Sequence, residues 1–216
     1  MARTLSVNNQ RIFTRTKQGM LGAVDIPWNA DWTLDEVSFR RLLARLSTLG
    51  AHQLYVMGTA GEGYAMSNDR FKHVVDVFVD SMRNTGIGMQ VGVISLATEE
   101  VIDRIGYAHD LGVRSFQISL PSWQAVSDTE MLNFFKTVCG AYPDSEFLHY
   151  NLVRTKRILD GDDYRMILDK VPNLVAAKQG STDMALIRSW MQKAPDMQHF
   201  MLQATYGYRV TVWRMF

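Results

Sequence analysis

The sequence predicts an α/β fold of the (β/α)8 TIM-barrel class, apparently truncated after about seven strands. Two observations predict it: short apolar runs alternate with amphipathic helical segments along most of the chain, and the connections between them are short. Alternation of this kind implies parallel strands that are joined by right-handed crossovers. Six or more such units in one chain favour a barrel over an open doubly wound sheet.

Each predicted strand is a short apolar run that is bounded by residues typical of turns. Pro27 closes the first run and Pro121 stops the fourth, because proline cannot donate to a strand ladder. The seven predicted strands are, in order, Gly19–Trp28, Gln53–Met57, Gly88–Ile94, Ser115–Leu120, Glu146–Leu152, Leu174–Lys178 and Gln198–Gln203.

The predicted helices carry apolar residues at helical spacing between start and stop signals. Thr33 and Glu36 have the spacing of a capping box for the first helix, and Gly50 stops that helix. Gly112 ends the third helix in the same way. After the first, the predicted helices are Asn68–Met82, Thr98–Leu111, Asp128–Ala141, Asp162–Lys170 and Thr182–Lys193.

One barrel domain is predicted over residues 19–216, without the usual C-terminal helices and after an N-terminal lead-in of residues 1–18. No proline- or serine-rich linker and no block of charge divides the chain. Seven strands and six helices are fewer than a closed barrel needs, which typically takes ~250 residues. The tail Tyr206–Phe216 has strand-like alternation. It could pair as an irregular eighth strand or come from a shifted or truncated reading frame, and both interpretations stay open.

Composition limits the function classes. The chain has 216 residues, 47% hydrophobic content and a net charge of +1, which gives no electrostatic reason to expect nucleic acid or an anionic membrane as a partner. Cys139 is the only cysteine, so an internal disulfide is excluded and a reducing cytoplasm is expected. The five histidines show no metal-ligand spacing, so the sequence indicates no metal site.

Lys178 is the most informative residue. It ends the apolar run Leu174–Ala177, which is typical of a buried strand. Desolvation at such a place disfavours the charged form, and a neutral amine is what Schiff-base catalysis on a carbonyl substrate requires. The alternative is that Lys178 extends from the strand end to water.

Two further motifs end strands. Glycines in Gly58–Gly63 allow a sharp turn that presents backbone N–H groups to an anion, and a carboxylate fits better than a nucleotide because the phosphate-binding signatures are absent. A plain tight turn is the alternative.

Tyr150 alternates with His149 at the end of the fifth strand, where its hydroxyl can shuttle protons beside Lys178. A buried core tyrosine is the alternative there.

Together the three motifs resemble one family. Gly-Thr-Ala-Gly-Glu after the second strand, Tyr-Asn at the end of the fifth and Ala-Ala-Lys-Gln-Gly-Ser at the end of the sixth are similar to the dihydrodipicolinate synthase / N-acetylneuraminate lyase superfamily. The resemblance runs from about Gly19 to about Gln203. It implies a class I pyruvate-type aldolase on a TIM barrel, in a homotetramer without a cofactor.

The resemblance also implies roles for individual residues. Lys178 forms an imine with a 2-oxo acid, and Tyr150 moves protons during carbon–carbon cleavage or formation. Thr59, with the backbone N–H groups of Thr59 and Ala60, holds the substrate carboxylate. Arg154 is a candidate for a second carboxylate, and Glu62 is expected to stabilise the turn. A 2-oxo acid, and in some reactions an aldehyde, are the expected small-molecule partners.

Several departures from the family pattern argue against a true dihydrodipicolinate synthase. Ala60 replaces a threonine of the Gly-Thr-Thr-Gly-Glu motif, and Pro121-Ser122-Trp123 replaces Pro-Tyr-Tyr. The proline of Tyr-Asn-x-Pro is Val153, and Thr155 occupies the place of an expected arginine. An aldolase, a hydratase-aldolase or a sugar-acid dehydratase remains. The alternative is a non-catalytic member of the superfamily that at most binds a 2-oxo acid.

Overall fold

The structure, a computed structural model, describes residues 19–201, and these fall into two compact units that divide between Ile118 and Ser119. The predictions for the lead-in of residues 1–18 and for the tail Tyr206–Phe216 lie outside the described residues. The assignment of residues 19–216 to a single domain stays a prediction.

The first unit is a succession of parallel βα units in chain order. Its strands pair as β1-β2-β3-β4, each parallel to the next. Its elements are β1 Leu21–Ala23, α1 Glu36–Leu46, β2 Gln53–Val56, α2 Asn68–Met82, β3 Gly88–Gly92, α3 Thr98–Asp110 and β4 Ser115–Ile118.

Amphipathic helices build the core of this unit. α2 buries an apolar stripe that includes Phe71, Val74 and Phe78, and α1 buries Phe39 and Leu43. Burying each such side chain contributes roughly 1.5–3 kcal/mol. α3 is different, because the buried positions of its stripe include an arginine among Val101, Ile105 and Ala108.

The second unit continues the same pattern. β5 pairs with β6 and β6 with β7, all parallel. Capping boxes start two of its helices, since Ser127 and Glu130 cap α4 and Asp160 and Asp163 cap α5. Its elements are α4 Asp128–Ala141, β5 Glu146–Asn151, a short 3-10 helix Val153–Thr155, α5 Gly161–Leu168, β6 Leu174–Gln179, α6 Met184–Lys193 and β7 Gln198–Met201.

The core of the second unit mixes apolar and polar side chains. Phe135 and Cys139 of α4 are fully buried, as are Tyr164 of α5 and Trp190 of α6. His149 of β5 is fully buried too. Buried polar groups need hydrogen-bond partners to offset the loss of water. The polar side chains of this core are therefore expected to bond to one another.

The succession of parallel βα units confirms the fold class that the sequence predicts. Seven strands and six α-helices lie within residues 19–201, most of them near the predicted positions. The predicted extent of the first strand is wrong, because β1 covers only Leu21–Ala23 of the expected Gly19–Trp28. The predicted start of the first helix is wrong. Asp35 caps α1 by accepting from the Ser38 N–H, whereas the Thr33 hydroxyl donates to Asp31 at 2.6 Å in the preceding turn. Of the helices described, none is both long and apolar enough to cross a membrane.

Candidate active site

Lys178 and Tyr150 lie side by side on neighbouring strands. They are register partners in the parallel pair of β5 and β6. The amino nitrogen Nζ of Lys178 is 4.4 Å from the centroid of the Tyr150 ring. Both side chains are half-buried. A cation over an aromatic ring is attracted by the ring's negative face, so this contact fixes the position of the amino group.

Burial changes the acidity of Lys178. It lowers the pKa of the Lys178 ammonium from 10.5 to about 8, because the charged form loses water contacts. At pH 7 about one amine in ten is then neutral, against about one in three thousand for an ordinary lysine. A neutral amine beside a phenol is able to attack a carbonyl carbon, and the phenol can donate or accept a proton.

The turn after β2 contains Thr59 and Ala60. Thr59 is half-buried and Ala60 is exposed. The turn is closed by two backbone hydrogen bonds, from Glu62 to Thr59 and from Gly63 to Gly58, at 3.2 and 3.3 Å. The Glu62 carboxylate accepts a hydrogen bond of 3.1 Å from the indole N–H of Trp28. Glu62 is therefore tied to the segment that follows β1.

A strained backbone starts this turn. Met57 is buried and has a φ of 65°, in the left-handed region that disfavours side chains larger than glycine. Gly63 and Gly92 both pack against Met57, and a Cβ added to either would overlap the Met57 carbonyl oxygen. Only glycine therefore fits at these two positions beside the strained backbone, and strain of this kind clusters at functional sites.

Arg104 bonds to the end of the same turn, a contact that the sequence did not predict. Its guanidinium is 4% exposed and donates to the carbonyl oxygens of Gly63, Ile94 and Met66 at 2.9 to 3.0 Å. Further bonds reach Asn68 and Glu100. The one available signal was an arginine at an apolar position of the α3 stripe.

The segment after β5 holds the remaining candidates. Arg154 is exposed in the short 3-10 helix. Thr155, at the position where an arginine was expected, is buried, and its hydroxyl lies 2.9 Å from both the Leu152 and the Arg157 carbonyl oxygens. Lys156 donates to the carbonyl oxygen of Trp123, whose side chain is 78% exposed. This segment and the loop after β4 are therefore bonded to each other.

The predicted site residues are divided between the units. The second unit brings Lys178 and Tyr150 together and carries Arg154, while Thr59 and Ala60 belong to the first unit. A single site that contains all five residues is therefore a hypothesis. Within residues 19–201, no group of three or more His, Cys, Asp and Glu side chains is placed to hold a metal ion.

A comparison with protein families decides the classification. The model of the dihydrodipicolinate synthetase family matches residues 16–203. The chain belongs to this family. Membership confirms the resemblance that the three strand-end motifs indicate.

Curated relatives in the dihydrodipicolinate synthetase family are distant in sequence. A 4-hydroxy-tetrahydrodipicolinate synthase from Methanopyrus kandleri is 22% identical over 180 residues, which are 83% of this chain and 60% of the relative. One from Methanosphaera stadtmanae is 26% identical over 167 residues, or 77% of this chain and 56% of the relative. The chain thus spans well under two thirds of the length of these relatives.

Solved structures share the fold. The 4-hydroxy-tetrahydrodipicolinate synthase of Methylacidiphilum fumariolicum SolV superposes with a TM-score of 0.84 at 19% identity, covering 91% of this chain and 66% of that one. A family protein from E. coli, solved in complex with pyruvate, gives a TM-score of 0.79 at 17% identity and covers 91% and 75%. These likenesses support the same parallel βα architecture.

Proposed function

We propose that this protein is a class I lyase that forms a Schiff base between Lys178 and pyruvate or a related 2-oxo acid. The observation that carries the proposal is the amino group of Lys178, half-buried, with a pKa lowered to about 8 and 4.4 Å from the Tyr150 ring. Aldol cleavage, aldol condensation and dehydration all start from this imine. One family protein of known structure was solved in complex with pyruvate, which is a 2-oxo acid.

The proposed chemistry begins with the neutral amine. Lys178 attacks the C2 carbonyl of the 2-oxo acid, one water leaves, and a carbon–nitrogen double bond remains. The imine draws electrons from C3, so a C3 proton or a C3–C4 bond can break and leave an enamine. The hydroxyl of Tyr150 is the proposed group that takes and returns protons in these steps.

The turn after β2 is the proposed site for the substrate carboxylate. Thr59 would hold it with its hydroxyl and, together with Ala60, with backbone N–H groups. The strained Met57 and the five bonds of Arg104 support this role, because they fix the turn before any ligand arrives. Arg154 is exposed and is the proposed contact for a second carboxylate.

The reaction is proposed to differ from dihydrodipicolinate synthesis. Ala60 and Trp123 lack the hydroxyls that the family's proton relay uses at these places, and the exposed Trp123 offers an apolar wall instead. A purified sample that forms 4-hydroxy-tetrahydrodipicolinate would contradict this proposed difference.

A homotetrameric assembly is proposed from the family, and light scattering tests it. A cytoplasmic location is proposed from the single cysteine.

Borohydride trapping tests the main proposal. Incubation with pyruvate and borohydride should add the mass of one reduced pyruvyl group, and peptide mapping should place it on Lys178. Lys178→Ala should abolish the adduct. Lys170→Ala is the matched control, because Lys170 is exposed beyond the end of α5 and its loss should leave trapping unchanged.

The possible results separate the alternatives. A folded protein that gives no adduct overturns the proposal. An adduct without turnover of any aldol or sugar-acid substrate would instead support a protein that only binds a 2-oxo acid.

A further inference from the structure

A buried polar network lies directly behind Lys178 and Tyr150. Side chains alternate along a strand, so Gln179 points to the face opposite Lys178, and His149 and Asn151 point to the face opposite Tyr150. All three are almost fully buried, with exposures of 0 to 3%. His149, Asn151 and Gln179, which are the chain neighbours of Tyr150 and Lys178, thus lie in one buried region.

Gln179 is the centre of this network. Its side-chain oxygen accepts from Asn151 Nδ2 at 2.9 Å. Its side-chain nitrogen lies 3.4 Å from the hydroxyl oxygen of Tyr164 and 3.3 Å from Nδ1 of His199. One amide therefore bonds to β5, to α5 and to β7 at the same time.

The hydrogen-bond directions in the network are mutually consistent. Gln179 donates one N–H to Tyr164 and the other to His199, so the Tyr164 hydroxyl donates onward to His149 Nδ1 at 2.8 Å. His199 then carries its proton on Nε2 and donates to the Ala194 carbonyl oxygen at 3.3 Å. Both histidines are neutral in this arrangement, and every side-chain atom of Gln179 able to bond is used.

Asn151 extends the network into the segment before α5. It bonds Leu159 in both directions, from Nδ2 to the carbonyl oxygen and from the Leu159 N–H to Oδ1, each at 2.9 Å. Trp190 of α6 donates to the same carbonyl oxygen at 2.8 Å. The ends of β5 and β6 are therefore fastened to both flanking helices through buried hydrogen bonds.

We propose that Gln179 is a positioning residue that holds the amino group of Lys178 over the ring of Tyr150. The inference rests on the proposed function, because it concerns the same lysine. Asn151 follows Tyr150 and Gln179 follows Lys178, so the bond between their side chains sets the relative position of the two strand ends from the far face. A small displacement of a reacting group costs a large factor in rate.

Gln179→Met tests this role, since methionine has a similar volume and no amide. The trapping rate with saturating pyruvate should fall at least tenfold, while the pyruvate concentration for half-maximal rate changes less. The pH at which trapping is half-maximal should also move, because the surroundings of the Lys178 amine change. Retention of the wild-type rate and pH midpoint in the folded variant would overturn the inference.

Asn173→Leu is the matched structural control. Asn173 is a buried amide of the same unit that donates to the carbonyl oxygens of Cys139, Tyr142 and Ser145, and it precedes the opposite end of β6. Its loss should lower the thermal midpoint at least as much as Gln179→Met and leave trapping within twofold. Equal losses of trapping in both variants would mean a general structural effect and would overturn the positioning role.

Two further results complete the test. If Gln179→Met does not fold, Tyr164→Phe decides, because it removes one partner of Gln179 and should lower trapping in the same direction. An unchanged rate and pH midpoint in Tyr164→Phe overturns the inference. A wild-type protein that forms no adduct overturns the proposed function itself, and the inference with it. A trapping wild type with unaffected variants overturns the inference alone.

Discussion

Arg104 donates from Nη1 to the carbonyl oxygen of Gly63 at 2.9 Å, across 41 positions of the chain. This bond joins α3 to the turn after β2. Its partner bonds to Ile94 and Met66 use the other hydrogens of the same guanidinium. A single buried cation therefore bonds to the backbone of the segments that follow β2 and β3.

Replacement of this cation should destabilise the first unit. Arg104→Met keeps the stem but removes the hydrogen bonds to three carbonyl oxygens, two of which are buried, so the free energy of unfolding should fall by about 3–5 kcal/mol. Urea unfolding measures the change. Arg165→Met is the control, since Arg165 is 37% exposed and pairs with Asp169 and Asp196 at the surface. Its loss should cost about 1 kcal/mol or less, and similar losses in both variants would contradict the assignment.

Gly63→Ala should also be costly. The added Cβ would overlap the Met57 carbonyl oxygen, which is backbone and cannot move aside easily. The free energy of unfolding should fall by about 3 kcal/mol, which is the upper range for overpacking. Gly140→Ala in α4 meets nothing within 4 Å and should stabilise the helix by about 0.5–1 kcal/mol. Thermal unfolding of the two variants should therefore shift in opposite directions.

The pH dependence of trapping should follow Lys178. Its pKa is lowered to about 8, so the neutral fraction is about one half at pH 8 and falls tenfold per pH unit below about pH 7. The initial trapping rate should rise with pH and level off above about pH 9. Measurements from pH 6 to pH 10 with saturating pyruvate check this. A trapping rate that still rises steeply between pH 9 and pH 10 would show that the Lys178 amine is not desolvated.

Tyr150→Phe separates the ring of Tyr150 from its hydroxyl. The ring keeps its contact with Lys178, so the variant should still form the borohydride-trapped adduct. The proton transfers should fail, and turnover should fall by about 10² to 10⁴. Tyr150→Leu loses the ring as well and should slow trapping itself. If Tyr150→Phe turns over at the wild-type rate, another group moves the protons.

His149 should make stability depend on pH. Burial lowers the pKa of His149 from 6.5 to about 3, and its Nε2 has no hydrogen-bond partner among the described residues. In the unfolded chain the His149 imidazole binds a proton below about pH 6.5, whereas in the folded chain it binds one only near pH 3. The contribution of neutral His149 to the free energy of unfolding is fully present above pH 6.5. It is lost as the pH falls, by up to ~1.4 kcal/mol per pH unit.

His149→Leu should remove most of this slope in urea unfolding between pH 6.5 and pH 4. The variant should be less stable at pH 7, because Tyr164 loses a partner. His73→Leu is the control, since His73 is 52% exposed, and it should keep the wild-type slope. A wild-type protein with a flat profile would contradict the buried neutral histidine.

Local signals in the sequence were sufficient for most of the fold. The bounds of α2 and α4 were predicted correctly, because polar caps at Ser67 and Ser127 directly precede regular apolar spacing. Strand ends were predicted less well, and β2 stops one residue earlier than expected. Met57 is as apolar as the residues before it, so composition cannot show that its φ is 65°.

The candidate site was only partly predictable. Consecutive parallel strands and alternation were enough to place Tyr150 beside Lys178. The bonds of Arg104 and Gln179 were not predictable, because most of their partners lie 15 to 41 positions away and depend on packing. Polar residues inside an apolar stripe or strand were the only visible sign.

Cys139 can report local opening of the structure around α4. It is the single cysteine of 216 residues, it is fully buried in α4, and burial raises the pKa of its thiol. Only an exposed thiolate reacts quickly with a thiol reagent. The labelling rate of Cys139 in native buffer therefore measures how often the surroundings of α4 open, without any engineered label. Comparison of this rate between variants would show how each substitution changes the opening of the second unit around α4.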